Sequence, residues 1–292
     1  MTEPSEPFGP SGPGGPLELA YSPCPNDTFI FTAWVEGRIA GAPPVVERYE
    51  DIDTLNRLAL AGEPDIVKIS FHAYAHFRDR YALLRSGGAL GRGCGPLVVA
   101  REPFEAGALS GKTVAIPGRL TTAALLVRLF APALSAPDAA VTVMPFDQIM
   151  PAVASGRVDA GVIIHESRFT YHRHGLVQIV DLGEWWERET GHAIPLGGIA
   201  MRRDLGADLI HRTERALAAS VDYAHAHPAD VWPTVRRHAQ EMEDEVMRQH
   251  IALYVNDFTR GYGVEGEHAI HHLLDTAERL GVVPHSEHPI FA

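Results

Sequence analysis

His165 stands at the end of a short apolar run, Gly161-Val162-Ile163-Ile164. An unperturbed imidazole titrates near pH 6.5, so a neutral one accepts protons at physiological pH. Core-like residues ahead of it hold the ring in a fixed place, which proton transfer requires. In an open α/β sheet, ligands collect beyond the carboxyl ends of the strands. A histidine that only caps a strand has the same local sequence, so the case for a base rests on what else gathers there. Two other stretches bring polar groups to equivalent places. Asp65-Ile66-Val67-Lys68-Ile69-Ser70 reads as a strand. Its last residues, Lys68, Ile69 and Ser70, reach the sheet edge with a cation, a hydroxyl and backbone N–H groups. Lys68 reaches a ligand by its side chain only if that side chain faces the crevice. Ile116-Pro117-Gly118-Arg119-Leu120-Thr121-Thr122 reads as strand, glycine turn and helix start. Free N–H groups and the helix dipole favour an anion there. The Thr121 and Thr122 hydroxyls either cap the helix or meet a carboxylate.

The opening turn Ser22-Pro23-Cys24-Pro25-Asn26-Asp27-Thr28 is stiffened by two prolines. Asn26 or Asp27 suits the N-cap of a helix over 28–36. Cys24 is a nucleophile only with a base beside it, and no local signature supplies one. Packing is its simpler role. Sixteen histidines occur, including His72 and His76 four apart and the pairs His172/His174 and His271/His272. None lies in H-E-x-x-H or near C-x-x-C, so no metal site is expected. A strand followed by G-x-G-x-x-G and a Walker loop are both missing, so no dinucleotide or nucleotide cofactor is expected.

The elements that must position these groups alternate strand and helix from Leu17, which implies an α/β fold. Strands are expected at 17–22, 45–49, 65–70, 81–85 and 96–100, with helices at 54–61 and near 73–80. The glycine-rich segment 87–95 suits a hinge or a loop close to a ligand. A second set follows, with strands at 113–116, 141–144 and 159–165 and helices at 121–130 and 147–155. One more strand, 198–202, is expected as the chain returns. Four helices then close the chain near 207–227, 229–240, 244–256 and 267–280. Trp185-Trp186, near that return, either lines a crevice or packs the lobes, and packing is the simpler reading. The expected organisation is a leader over 1–16, a discontinuous first lobe over 17–101 and 196–292, and a second lobe over 102–195. Ligands commonly bind between such lobes.

The 292 residues are 46% hydrophobic, enough for one large or two ordinary domains. A net charge of −12 argues against nucleic acid, which needs clustered Lys and Arg. Two cysteines imply no disulfide framework and fit a reducing compartment. No apolar run of 18 residues exists, so no membrane span is expected. The leader, rich in Pro, Gly, Ser and Glu, has neither the basic start nor the apolar core of a secretory signal, and reads as disordered.

Four stretches together resemble the 1,4-dihydroxy-6-naphthoate synthases of the futalosine route to menaquinone. They are Ser22-Pro23-Cys24-Pro25-Asn26-Asp27-Thr28-Phe29-Ile30-Phe31, residues 85–93, Ile163-Ile164-His165-Glu166-Ser167-Arg168-Phe169-Thr170-Tyr171, and 175–178 with 181–183. The similarity runs from about Leu17 to Ala292. It implies a two-lobed, periplasmic-binding-protein-like (type II) fold with an interlobe cleft and a helical C-terminal block. It also implies a cytoplasmic, cofactor-independent lyase that acts on cyclic dehypoxanthinylfutalosine and releases a sugar-derived fragment. His165 matches the family's proton acceptor. Lys68, Ile69 and Ser70, with Thr121 and Thr122, match its substrate contacts. The competing expectation is a solute-binding protein that captures a small anion without reacting. An ionisable base and the lack of an export signal weigh against it. The oligomeric state is left open.

Overall fold

The computed structural model describes residues 15–239 and 243–292. The expected leader therefore lies, but for its last two residues, outside the described residues.

The first sheet starts with β1 (Leu17–Tyr21), β2 (Val45–Tyr49) and β3 (Ile66–Ser70), all parallel with β1 in the middle. Helix α1 (Pro25–Val35) follows β1 and is buried on nearly every side, as an all-round apolar helix must be. Pro25 sits at its first position, where a missing N–H costs nothing. Helix α2 (Ile52–Ala61) has the expected signals at both ends. Asp51 caps it through the N–H groups of Asp53 and Thr54, and Gly62 closes it in the left-handed conformation. The short helix α3 (Phe71–Tyr74) leaves β3 directly, and β4 (Tyr81–Leu83) and β5 (Ala89–Gly91) complete this stretch.

The chain then builds a second sheet. Its strands are β6 (Leu97–Ala100), β7 (Val114–Ile116), β8 (Val141–Val143), β9 (Ala160–Ile163) and β10 (Val177–Asp181), in the order β10-β6-β9-β7-β8. Its helices are α4 (Thr122–Phe130), α5 (Phe146–Ala154), α6 (Ser167–Thr170) and α7 (Leu182–Thr190). The long strand β11 (Ile194–Arg202) returns to the first sheet, antiparallel to β3, with β4 and β5 along its other side. Helices α8 (Ala207–Ala226), α9 (Pro228–His238), α10 (Asp244–Tyr254), α11 (Asp257–Arg260) and α12 (Gly263–Arg279) finish the first lobe. Helix α1 packs against α8, α9 and α10.

Three expectations are corrected here. The first lobe was expected to run to residue 101, but β6 pairs with β9 and β10 in the second sheet, and β11 joins the first sheet from Ile194. The crossings therefore lie near 92–96 and 191–193. Leu97-Val98-Val99-Ala100 is apolar throughout, and such a run does not identify its pairing partners. The strand expected over 159–165 ends at Ile163, and His165 stands in the turn beyond it. The cap of α1 is Cys24, not Asn26 or Asp27, and no side chain caps it. Asn26 and Asp27 lie inside the first turn with their side chains bonded elsewhere.

Candidate active site

The strands β1, β3, β7 and β9 all end toward the gap between the sheets. Residues that follow those ends, together with parts of β11 and α10, enclose a cavity with about 680 Å³ of atom-free space. Lys68, Ile69, Ser70, Thr121, Thr122 and His165 all line it. A wider chamber of about 1590 Å³ shares Ser22, Ile52 and His165 with the first. Its walls carry Glu50, Asp51, Asp53, Asp147 and Glu166. His165 thus stands where a largely apolar cavity meets an acidic one.

The backbone of His165 is unusual. Its φ is 56°, the one positive φ outside glycine among the described residues. Such a conformation costs an L-residue about 1–2 kcal/mol and tends to persist at functional sites. The ring is fixed on three sides. Its Nδ1 lies 3.3 Å from Cys24 Sγ, the Phe146 ring is 5.2 Å away, and the His250 ring lies nearly parallel at 6.1 Å. Burial lowers the imidazole pKa. The Glu166 and Asp27 carboxylates oppose that shift and the Lys68 ammonium adds to it. His165 is therefore neutral at pH 7, the form that accepts a proton. Burial pushes the Cys24 thiol up, so it stays protonated and is a poor nucleophile. Cys24 contacts the His165 imidazole as a hydrogen-bonding neighbour, a role its local sequence did not signal.

Lys68 is buried, and its Nζ pairs with Asp27 Oδ1 at 2.8 Å. Asp27 also accepts from Ser22 Oγ at 2.7 Å and Asn26 Nδ2 at 2.8 Å. The Lys68 charge is thus compensated inside the protein, as burial demands. Ser70 Oγ accepts from Asn56 Nδ2 at 3.1 Å, which leaves its own proton to donate into the cavity. Thr121 Oγ1 accepts from Ala124 N and donates to Gly118 O, so this hydroxyl is the cap of α4. Thr122 Oγ1 accepts from Phe71 N at 3.0 Å and donates to Leu196 O at 2.5 Å. Both partners belong to the first lobe, so Thr122 fastens the two lobes together. His72 Nδ1 to Thr121 O at 3.1 Å makes a parallel link. Of the two readings left open for these threonines, their hydroxyls follow the structural one. They still place the first-turn N–H groups of α4 against the cavity, where Ala123 is among the lining residues.

Sequence reasoning missed His250 and Asn56. His250 comes from the middle of α10, 85 positions after His165 in the sequence, and no local motif marks it. Trp186 is buried, its ring edge-on to His272 at 5.6 Å, in keeping with packing rather than a crevice wall. Among the described residues no group of three or more His, Cys, Asp or Glu is arranged to hold a metal ion.

The family model described as menaquinone biosynthesis matches residues 17–279. The chain belongs to the menaquinone-biosynthesis family. This family member is 52% identical to the 1,4-dihydroxy-6-naphthoate synthase of Thermus thermophilus over 94% of its own length and 98% of that protein's. It is 50% identical to the synthase of the same name from Streptomyces coelicolor over 92% and 95% of the two chains. The alkanesulfonate-binding protein of Xanthomonas axonopodis, solved bound to MOPS, matches with a TM-score of 0.69. That match is 11% identical and covers 94% of this chain and 96% of the other. The fold is therefore periplasmic-binding-protein-like, and the menaquinone-biosynthesis protein that carries it is an enzyme acting on a small molecule. No described helix is long and apolar enough to cross a membrane.

Proposed function

We propose that the protein converts cyclic dehypoxanthinylfutalosine to 1,4-dihydroxy-6-naphthoate, as the names of its two half-identical relatives suggest. The observation that carries this reading is the position of His165 at the junction of two chambers of opposite chemistry. The substrate has two ends of matching character. Its aromatic carboxylate end suits the inner cavity, where the α4 N–H groups and the Ser70 hydroxyl meet an anion. Its polyhydroxyl end suits the outer chamber, whose carboxylates accept hydrogen bonds from hydroxyls and repel a second anion. The bond to be broken lies between those ends, next to the imidazole.

In this reading Nδ1–H of His165 faces Cys24 Sγ, and Nε2 is the free base. Nε2 takes a proton from the substrate, carbon–carbon cleavage releases the sugar-derived fragment, and aromatisation drives the reaction. The protein's work is orientation, proton transfer and exclusion of water. The lobe-spanning bonds of Thr122 support closure over the substrate. Cys24 and Cys94 are both free thiols, in keeping with action in the cytoplasm.

The test is anaerobic incubation of purified protein with the cyclic substrate, followed by chromatography. Naphthoate formation without added cofactor is expected. Tight substrate binding with no product would instead favour a solute-binding role.

A further inference from the structure

His250 is 1% exposed and lines the inner cavity. Its Nε2 lies 3.0 Å from Asn26 Oδ1. Asn26 donates through Nδ2 to Asp27 Oδ1, so its amide oxygen is the atom that faces His250. Nε2 of His250 must then carry the hydrogen. Burial holds the ring neutral, with His165 and Lys68 adding to the shift. Nδ1 is consequently a bare acceptor, and it has no hydrogen-bond partner among the described residues. A buried acceptor without a donor is costly, and the surrounding protein provides none. The chain that fixes this ring runs from Lys68 through Asp27 and Asn26, so the tautomer is set by an ion pair rather than by chance rotation.

We propose that His250 is a second substrate-contacting imidazole of the cleft. Its Nδ1 accepts a hydrogen bond from a hydroxyl of the ring system that becomes the dihydroxynaphthoate. This rests on the function proposed above. The product carries its two hydroxyls on the ring that lacks the carboxylate. A carboxylate anchored at α4 and Ser70 leaves those hydroxyls to meet another part of the lining, where His250 Nδ1 is an acceptor with no partner of its own among the described residues. Two imidazoles then divide the work. His165, from the second lobe, takes the proton, and His250, from the first, holds the ring through a hydroxyl.

The test compares binding of 1,4-dihydroxy-6-naphthoate and 2-naphthoate by anaerobic calorimetry. The two differ only in the hydroxyls. His250→Gln keeps an N–H near the Nε2 position for Asn26 and removes the Nδ1 acceptor. It is expected to bind 2-naphthoate as the wild type does and to lose about tenfold of the preference for the dihydroxylated ligand, one hydrogen bond's worth. His250→Asn keeps a polar atom at the Nδ1 position and loses the Asn26 bond, so it is expected to melt lower yet keep most of the preference. Full preference in His250→Gln, or its loss in a folded His250→Asn, overturns the proposal. Wild-type protein that neither binds the dihydroxylated ligand nor converts the cyclic substrate overturns the parent reading as well.

Discussion

A neutral imidazole inside a protein is maintained by burial, and burial has a cost that shows in acid. His72 is buried and its pKa is lowered to about 4, chiefly by desolvation, with the bond to Thr121 O opposing. His165 and His250 are shifted in the same direction. In the unfolded chain all three take up protons near pH 6.5. Below that pH the unfolded state binds more protons than the folded one, so stability falls as pH falls. His72 alone removes about 3 kcal/mol by pH 4, at 1.36 kcal/mol per unit. Thermal melts are expected to be flat above pH 7 and to drop steeply from pH 6.5 to 4. A melting temperature unchanged over that window would mean these rings are not held neutral. The residues legible in the sequence were those that end a strand or begin a helix, because such places have local signals. Lys68, Ser70, Thr121, Thr122 and His165 are of that kind. His250 and Asn56 sit inside helices, and only the folded chain brings His250 to the cavity and Asn56 to Ser70 beside it.

At the scale of elements, sequence patterning located most strands and helices and put one strand, β6, with the wrong sheet. The apolar run through Ile164 predicts a strand up to His165, yet the strand stops at Ile163. Histidine is enriched in the left-handed conformation found at His165, but that conformation is too rare among non-glycine residues for the residue type alone to predict it. β6 was assigned to the first lobe for a similar reason, since hydrophobicity names a buried strand and not its neighbour. One element junction with backbone against backbone lies next to the first crossing. A Cβ at Gly95 would stand 2.3 Å from both Cα and N of Gly183, and neither backbone has space to yield. Arg168 ties this junction to the turn that carries His165, through Gly95 O and the Asp181 carboxylate, each at 2.6 Å. Gly95→Ala is expected to cost about 1–3 kcal/mol of overpacking. At about 2–4 °C per kcal/mol, the melting temperature falls by several degrees. A melting temperature within about 1 °C of wild type would show that the two segments separate freely.

For the whole molecule, two sheets with their strand ends facing one gap make a cavity whose walls come from both lobes. Thr122 and His72 bridge that gap by direct hydrogen bonds, so the two walls of the cavity are tied to each other. The same architecture is found in an alkanesulfonate-binding protein, so the fold alone does not fix what the cavity does. What separates this chain, on the function proposed above, is a neutral imidazole acting as base at the meeting point of an apolar and an acidic chamber. That claim is tested most directly by single-turnover kinetics of His165→Asn on the cyclic substrate, with product affinity and melting temperature measured alongside. Asn tolerates the left-handed backbone, so the variant is expected to fold and to bind 1,4-dihydroxy-6-naphthoate. Its rate should fall by about 10²–10⁴-fold, the usual worth of a general base. A folded, binding-competent His165→Asn that turns over within about threefold of wild type would contradict the account.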